Sequence, residues 1–203
     1  VGGGGLIAGM SAYIKTIRPD TKVIGVEPVD AASLHDALKA DDRVILDQVG
    51  LFADGTAVRQ VGKENFRIAR ETVDEAILVD TDEICAAVMD IFDDTRCIAE
   101  PSGALAVAGV KKYIEMNSIT GQEFAVINSG ANVNFDRLRH IAERAELGEK
   151  REVLFAATIE EEAGSFQRFC QVLADRSVTE FNYRYADSGS AQVFVGIQTQ
   201  GGS

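Results

Sequence analysis

Short apolar runs at residues 22–27, 75–79 and 123–127 alternate with stretches of helical periodicity across the first 148 residues. No other feature constrains the fold as much. Runs this short suit strands buried on both faces rather than helices. Strands separated by helices join in parallel through right-handed crossovers. The pattern predicts an open, mostly parallel α/β sheet, with ligands held at the carboxyl ends of its strands. The punctuation agrees. Arg18-Pro19 stops a helix over 6–17, because proline disfavours helical geometry in its predecessor. Pro28 ends the first run, and Asp80-Thr81-Asp82 offers caps for a helix through Phe92. Helices are also expected at 31–40 and 62–73, and from Glu100-Pro101-Ser102-Gly103 through Tyr113. A last one spans 135–147 and is closed by Gly148. Residues 44–54 read as irregular, with a turn at Ala53-Asp54-Gly55.

The chain opens on Val1-Gly2-Gly3-Gly4-Gly5-Leu6 and enters its first helix directly. Glycines before a helix N-terminus expose a row of backbone N–H groups with no Cβ in the way. With the positive end of the helix dipole, those donors suit a phosphate dianion. A bare glycine run also reads as a flexible linker. Here, however, the glycines lie between Val1 and the apolar Leu6, Ile7, Met10 and Ile14. A phosphate loop of this kind needs a preceding strand, and none is present, so the chain reads as a fragment beginning in mid-domain. Ser129 sits in the turn Asn128-Ser129-Gly130-Ala131-Asn132, just after the run at 123–127. It belongs at the same end of the sheet as the glycines, so two loops are expected to face one crevice.

Glu149-Lys150-Arg151 breaks the alternation. A strand at 153–159, a helix at 164–174 and strands at 178–185 and 191–198 follow, with a turn at Asp187-Ser188-Gly189-Ser190. Phe181, Tyr183 and Tyr185 share one strand face. This βαββ unit is about half of a ferredoxin-like βαββαβ module. It ends at Gly201-Gly202-Ser203, and the C-terminus reads as cut as well. The domain expectation is 1–148 and 149–203.

Formal net charge is -12, from 32 acidic and 20 basic residues, which argues against a nucleic-acid partner. Cys85, Cys97 and Cys170 show no metal-ligand spacing and are expected to be reduced, mostly buried thiols. No apolar run is long enough to span a bilayer, so no membrane partner and a cytoplasmic location are expected. His140 reads as a surface residue.

Val1 to Leu6, Val26-Glu27-Pro28, Ala53-Asp54-Gly55, Glu100-Pro101-Ser102-Gly103-Ala104 and Ser129-Gly130-Ala131-Asn132-Val133-Asn134 occur in this order and at compatible spacing. Together they resemble the fold-type-II (tryptophan-synthase-β-like) pyridoxal-phosphate enzymes of the serine/threonine dehydratase group. Glu143-Arg144-Ala145-Glu146-Leu147-Gly148-Glu149 and Thr179-Glu180-Phe181-Asn182-Tyr183-Arg184 are similar to the biosynthetic threonine dehydratases, whose regulatory tail is ACT-like.

The resemblance implies pyridoxal 5'-phosphate as cofactor. Its phosphate would lie on Gly2, Gly3, Gly4, Gly5 and the N–H of Leu6, and its pyridine nitrogen against Ser129. It implies L-threonine as substrate, isoleucine and valine as effectors, and a homotetramer. Glu100 is expected to cap its own helix, beside the cofactor. Glu27 aligns with a cation ligand of the serine racemases, but Ser33 stands where a second acid is wanted, so no metal site is expected. Gly164 either permits a turn or receives an effector's carboxylate.

The family joins its cofactor to a lysine in an N-terminal motif that this chain lacks. Lys15, Lys22, Lys39, Lys63, Lys111, Lys112 and Lys150 fall on helical surfaces or element ends. The chain alone is therefore expected to be inactive. A serine-acting lyase or racemase, and an amino-acid sensor without chemistry, stay open as alternatives.

Overall fold

The computed structural model describes residues 1–148, 152–187 and 189–199. The chain divides into two units, Val1–Ala145 and Glu146–Ser203. The elements of the first part are α1 (Gly5–Ile17), β1 (Ile24–Pro28), α2 (Ser33–Ala40), a 3₁₀ turn (Asp54–Thr56) and α3 (Lys63–Thr72). Then come β2 (Glu75–Val79), α4 (Thr81–Thr95), α5 (Pro101–Asn117) and α6 (Arg137–Gly148).

β1 and β2 pair in parallel, with Val26 opposite Ile77. Because side chains alternate along a strand, Val26, Ile77 and Val79 face one side and Gly25 and Glu27 the other. On the first side Val79 packs with Ile84 and Val88 of α4, Leu105 and Ala108 of α5, and Ile141 and Ala145 of α6. The second core joins Leu34 and Ala37 of α2 to Val61 and to Phe66 and Ala69 of α3, with Ile7 of α1 against it. A two-stranded ladder alone is marginal in water. Leu34 and Ile84 are 0% and 1% exposed. Each contributes roughly 1.5–3 kcal/mol on burial, so the helical layers hold the strands in place.

Local signals set the helix ends. α1 stops at Arg18, before Pro19. α4 begins with a reciprocal box: Asp80 accepts the Glu83 N–H at 2.9 Å, and Glu83 accepts the Asp80 N–H at 2.7 Å. Pro101 occupies the first turn of α5, where its missing N–H costs nothing.

The run at 123–127 is not a strand, contrary to expectation. Residues 122–134 carry no regular structure, and Phe124, Val126 and Ile127 are 41%, 42% and 45% exposed. A strand exists through its ladder. Among the described residues no strand pairs with this segment, so apolar composition alone leaves it as extended chain.

In the second unit, β3 (Glu152–Glu160), α7 (Ser165–Leu173), β4 (Val178–Asp187) and β5 (Ser190–Gln198) follow in sequence. The strands form an antiparallel sheet in the order β3-β5-β4. Val195 lies opposite both Phe155 and Phe181, and Val193 opposite Ala157 and Tyr183. Leu173 of α7 closes a core with Val193 and Val195. The Phe166 ring meets Phe181 and Tyr183 edge-on, at 5.5 and 6.0 Å. Gly164 caps α7 at φ 94, so the turn itself calls for glycine. The expectations for Glu149-Lys150-Arg151, Ser188, the Tyr185 side chain and Gly201-Gly202-Ser203 fall outside the described residues.

Candidate functional site

The glycine loop is fixed from the α3 side. The Gly3 carbonyl accepts the Gly62 N–H at 3.0 Å and the Asn65 amide Nδ2 at 2.6 Å. In a trans peptide the next N–H points opposite the carbonyl, so this clamp aims the Gly4 N–H away from α3. Gly4 caps α1 at φ 85, in the left-handed region that favours glycine. The first bond into the helix runs from the Ala8 N–H to the Gly4 carbonyl at 3.0 Å. Helix geometry therefore leaves the N–H groups of Gly5, Leu6 and Ile7 without an intrahelical acceptor.

The space over these donors is open. A Cβ at Gly3 would meet nothing within 4 Å, and one at Gly5 only the Asn65 amide at 3.9 Å. Leu6 is 58% exposed, and no acidic residue lies in the first turn of α1. Amide donors, a positive helix end, no competing carboxylate and room for a ligand fit a doubly charged phosphate ester. Asn65 and Gly62 had no signal in the sequence: each meets Gly3 only through tertiary packing.

Ser129 lies on the irregular segment 122–134 and is exposed, rather than at the end of a strand. Its loop and the glycines are linked through a chain of close neighbours. A Cβ on Gly2 would stand 3.1 Å from Thr56 Cα and 3.2 Å from the Gly55 carbonyl. One on Gly55 would stand 2.9 Å from Ser102 Oγ, in the first turn of α5. The Glu100 N–H then donates to the Gly130 carbonyl at 3.1 Å. Glu100 does not cap α5 with its side chain, which corrects the expectation. Its carboxylate lies against Gly130, because the approach of residues 128–130 occupies the mouth of the helix.

Glu27 is fully buried on β1. Its carboxylate accepts the N–H groups of Leu34 at 2.9 and 3.1 Å and of His35 at 2.7 Å, with the Ser33 hydroxyl at 3.4 Å. It thus caps α2 from a neighbouring element. Burial pushes its pKa up, against the lowering effect of the two N–H groups. Cys85 is buried, and that burial pushes its thiol up to about 12, which makes it inert at neutral pH. Cys97 and Cys170 are exposed, contrary to the expectation of mostly buried thiols: Cys97 follows the end of α4 and Cys170 lies on α7. Lys15 and Lys112 pair with Asp74 and Glu83 at 2.7 and 2.9 Å. No helix among the described residues is long and apolar enough to cross a membrane.

Residues 1–130 match the family described as "Pyridoxal-phosphate dependent enzyme". Residues 143–203 match the "C-terminal regulatory domain of Threonine dehydratase". The chain is 58% identical to the L-threonine dehydratase biosynthetic IlvA of Burkholderia multivorans over 198 residues, 98% of this chain and 39% of that protein. It is 56% identical to the protein of the same name from Escherichia coli, over all of this chain and again 39% of that one. Thus it spans about two fifths of the curated relatives it matches. Among solved structures, the processed form of threonine deaminase isoform 2 from Solanum lycopersicum superposes with a TM-score of 0.71. That match has 46% identity and covers 72% of this chain and 40% of that one. An amide-lined loop fit for a phosphate ester, on a parallel α/β sheet, together with these matches, places the chain in the family of pyridoxal-phosphate dependent enzymes, with a match to a threonine dehydratase regulatory domain at residues 143–203.

Proposed function

We propose that the chain is part of a threonine ammonia-lyase that converts L-threonine to 2-oxobutanoate and ammonia, the entry step of isoleucine synthesis. The observation that carries the reading is the open row of amides at the start of α1, backed by Gly62 and Asn65. A pure amino-acid sensor has no use for it. Bound pyridoxal 5'-phosphate supplies an electron sink for the charge left when an amino acid loses its α-proton. Gly2, Gly3, Gly4, Gly5 and the Leu6 N–H would hold the phosphate, and Ser129 would meet the pyridine nitrogen. A serine hydroxyl is neutral and cannot keep a proton on that nitrogen as a carboxylate would. Ser129 would thereby favour loss of the β-hydroxyl over transamination.

The proposal divides the protein into a catalytic part, 1–148, and the start of a regulatory part, 149–203. The lysine that joins the cofactor lies outside this sequence, so the chain alone is inactive. Isoleucine and valine are the effectors. In support, an open, shallow depression of about 250 Å³ on the second unit is lined by Ile159, Phe169 and Val172 beside Ser165, Arg168 and Glu160. That mixture of aliphatic and charged groups suits a small apolar amino acid. The assembly is a cytoplasmic homotetramer that engages neither nucleic acid nor membrane.

Gly3→Asp in the full-length protein tests the cradle. The added side chain meets no protein atom near its Cβ, so folding is kept, while its charge occupies the phosphate's place. Cofactor absorbance should vanish from the purified variant. Full absorbance would remove the cradle assignment.

A further inference from the structure

Residues 122–134 have no ladder among the described residues, so the position of Ser129 has to come from what its loop rests on. That support is the first turn of α5. The Glu100 N–H holds the Gly130 carbonyl at 3.1 Å. A Cβ at Gly103 would overlap the same carbonyl oxygen, and would stand 2.8 Å from Asn128 Oδ1 and 2.9 Å from the Gly130 nitrogen. A Cβ at Gly130 would overlap Glu100 Oε1 and stand 2.8 Å from its Cδ. The loop is therefore seated on α5 at both neighbours of Ser129, through one hydrogen bond and two contacts that admit no side chain. Since Glu100 leaves the mouth of its own helix uncapped, its carboxylate is free to form the wall behind Gly130.

We propose that Gly103 and the backbone N–H of Glu100 position Ser129, setting the distance between its hydroxyl and the cofactor's ring nitrogen. The inference rests on the reading of Ser129 given above. A hydroxyl–nitrogen hydrogen bond tolerates only a few tenths of an ångström in heavy-atom distance. A methyl group at position 103 has the Gly130 backbone in its way, as well as the Asn128 side chain. It forces the Gly130 carbonyl, and Ser129 beside it, to move. The two glycine contacts differ in a useful respect. The obstacle at Gly130 is the far end of the Glu100 side chain, so it can be removed by a second substitution, whereas the obstacle at Gly103 cannot.

The test uses the full-length holoenzyme with Ser129→Ala, Gly103→Ala, Gly130→Ala and the double variant Glu100→Ala with Gly130→Ala. Cofactor content, the emission maximum of bound cofactor, kcat and KM for L-threonine are read for each. Gly103→Ala should keep its cofactor, since the phosphate loop is untouched, and should shift the emission maximum as Ser129→Ala does. Its kcat should fall on the order of 10- to 100-fold with KM changed by less than about twofold, as displacement of a positioned group predicts. Gly130→Ala should show the same signature more weakly, and the double variant should regain most of the lost kcat. If Gly103→Ala fails to fold, the Gly130→Ala pair decides alone. Wild-type emission and kcat in Gly103→Ala or Gly130→Ala, with Ser129→Ala altered, would overturn the positioning role and leave the Ser129 reading standing. Wild-type behaviour in Ser129→Ala itself would overturn that reading and the inference with it.

Discussion

The N-termini of α1 and α2 present the same physics and meet opposite fates. Both helices offer unpaired backbone N–H groups and the positive end of a dipole. At α2 the donors of Leu34 and His35 are consumed by the buried carboxylate of Glu27. At α1 the clamp from Gly62 and Asn65 falls on the Gly3 carbonyl, behind the loop, and the donors of the first turn face open space. One end is sealed by the protein's own carboxylate, while the space over the other is open. What separates them is not local helix propensity but where a carboxylate and a clamp stand in the folded chain.

The comparison breaks most readily at the sealed end. Glu27→Ala strands two buried donors and should destabilise the protein by about 2–6 kcal/mol in denaturant unfolding. A loss below about 1 kcal/mol would mean that water or another group caps α2.

At the open end the largest loss is expected from Gly4→Ala. Its φ of 85 is strained for alanine, and the new Cβ would stand 2.9 Å from Val61 Cγ2. The combined cost is about 2–4 kcal/mol, read by the same unfolding experiment. An unchanged midpoint would show that the loop adopts another conformation.

Titration sharpens the contrast further. Burial raises the Glu27 pKa in the folded state, so between the unfolded and folded values the native state binds more protons than the unfolded one. The stabilisation from this group is present below its unfolded pKa and is lost as pH rises through the folded one. Relative to Glu27→Gln, the wild type should therefore be more stable near pH 5 than near pH 8. A flat or reversed difference would contradict the assigned direction.

Gly5→Ala should have the smallest effect on folding, a gain of about 0.5–1 kcal/mol from alanine's helix preference, since only the Asn65 amide lies near. Yet the methyl group enters the space over the amide row, so cofactor should be retained less tightly in equilibrium dialysis. Unaltered retention would place the phosphate elsewhere.

Where the sequence could be read, the signals were short in range. Arg18-Pro19 marks the end of α1, and Asp80 with Glu83 marks the start of α4 within a single turn. The alternation of apolar runs with helical periodicity foretold the parallel pairing of β1 and β2 between helical layers. The glycine loop was visible because a run of glycines leaves its backbone amides uncovered. Ser129 stood out by its turn after the run at 123–127 and by the order of its neighbours, but the strand expected before it did not form.

Other features depend on contacts far apart in the chain. Asn65 reaches Gly3 across 62 positions. Glu27 has a helix to cap only once β1 and α2 are packed. The run at 123–127 has strand composition, but composition provides no ladder partner. Glu100 sits where a helix cap belongs, and the arrival of Gly130 gives its carboxylate another place. The sequence by itself determined the helices, the β1–β2 pairing and the glycine turn before α1, because propensity, capping and glycine geometry act within a turn or two. Tertiary structure alone decided which helix end was sealed, which stayed open and what the Ser129 loop rests on, because a backbone donor or carbonyl is paired by whatever packing brings within about 3 Å of it.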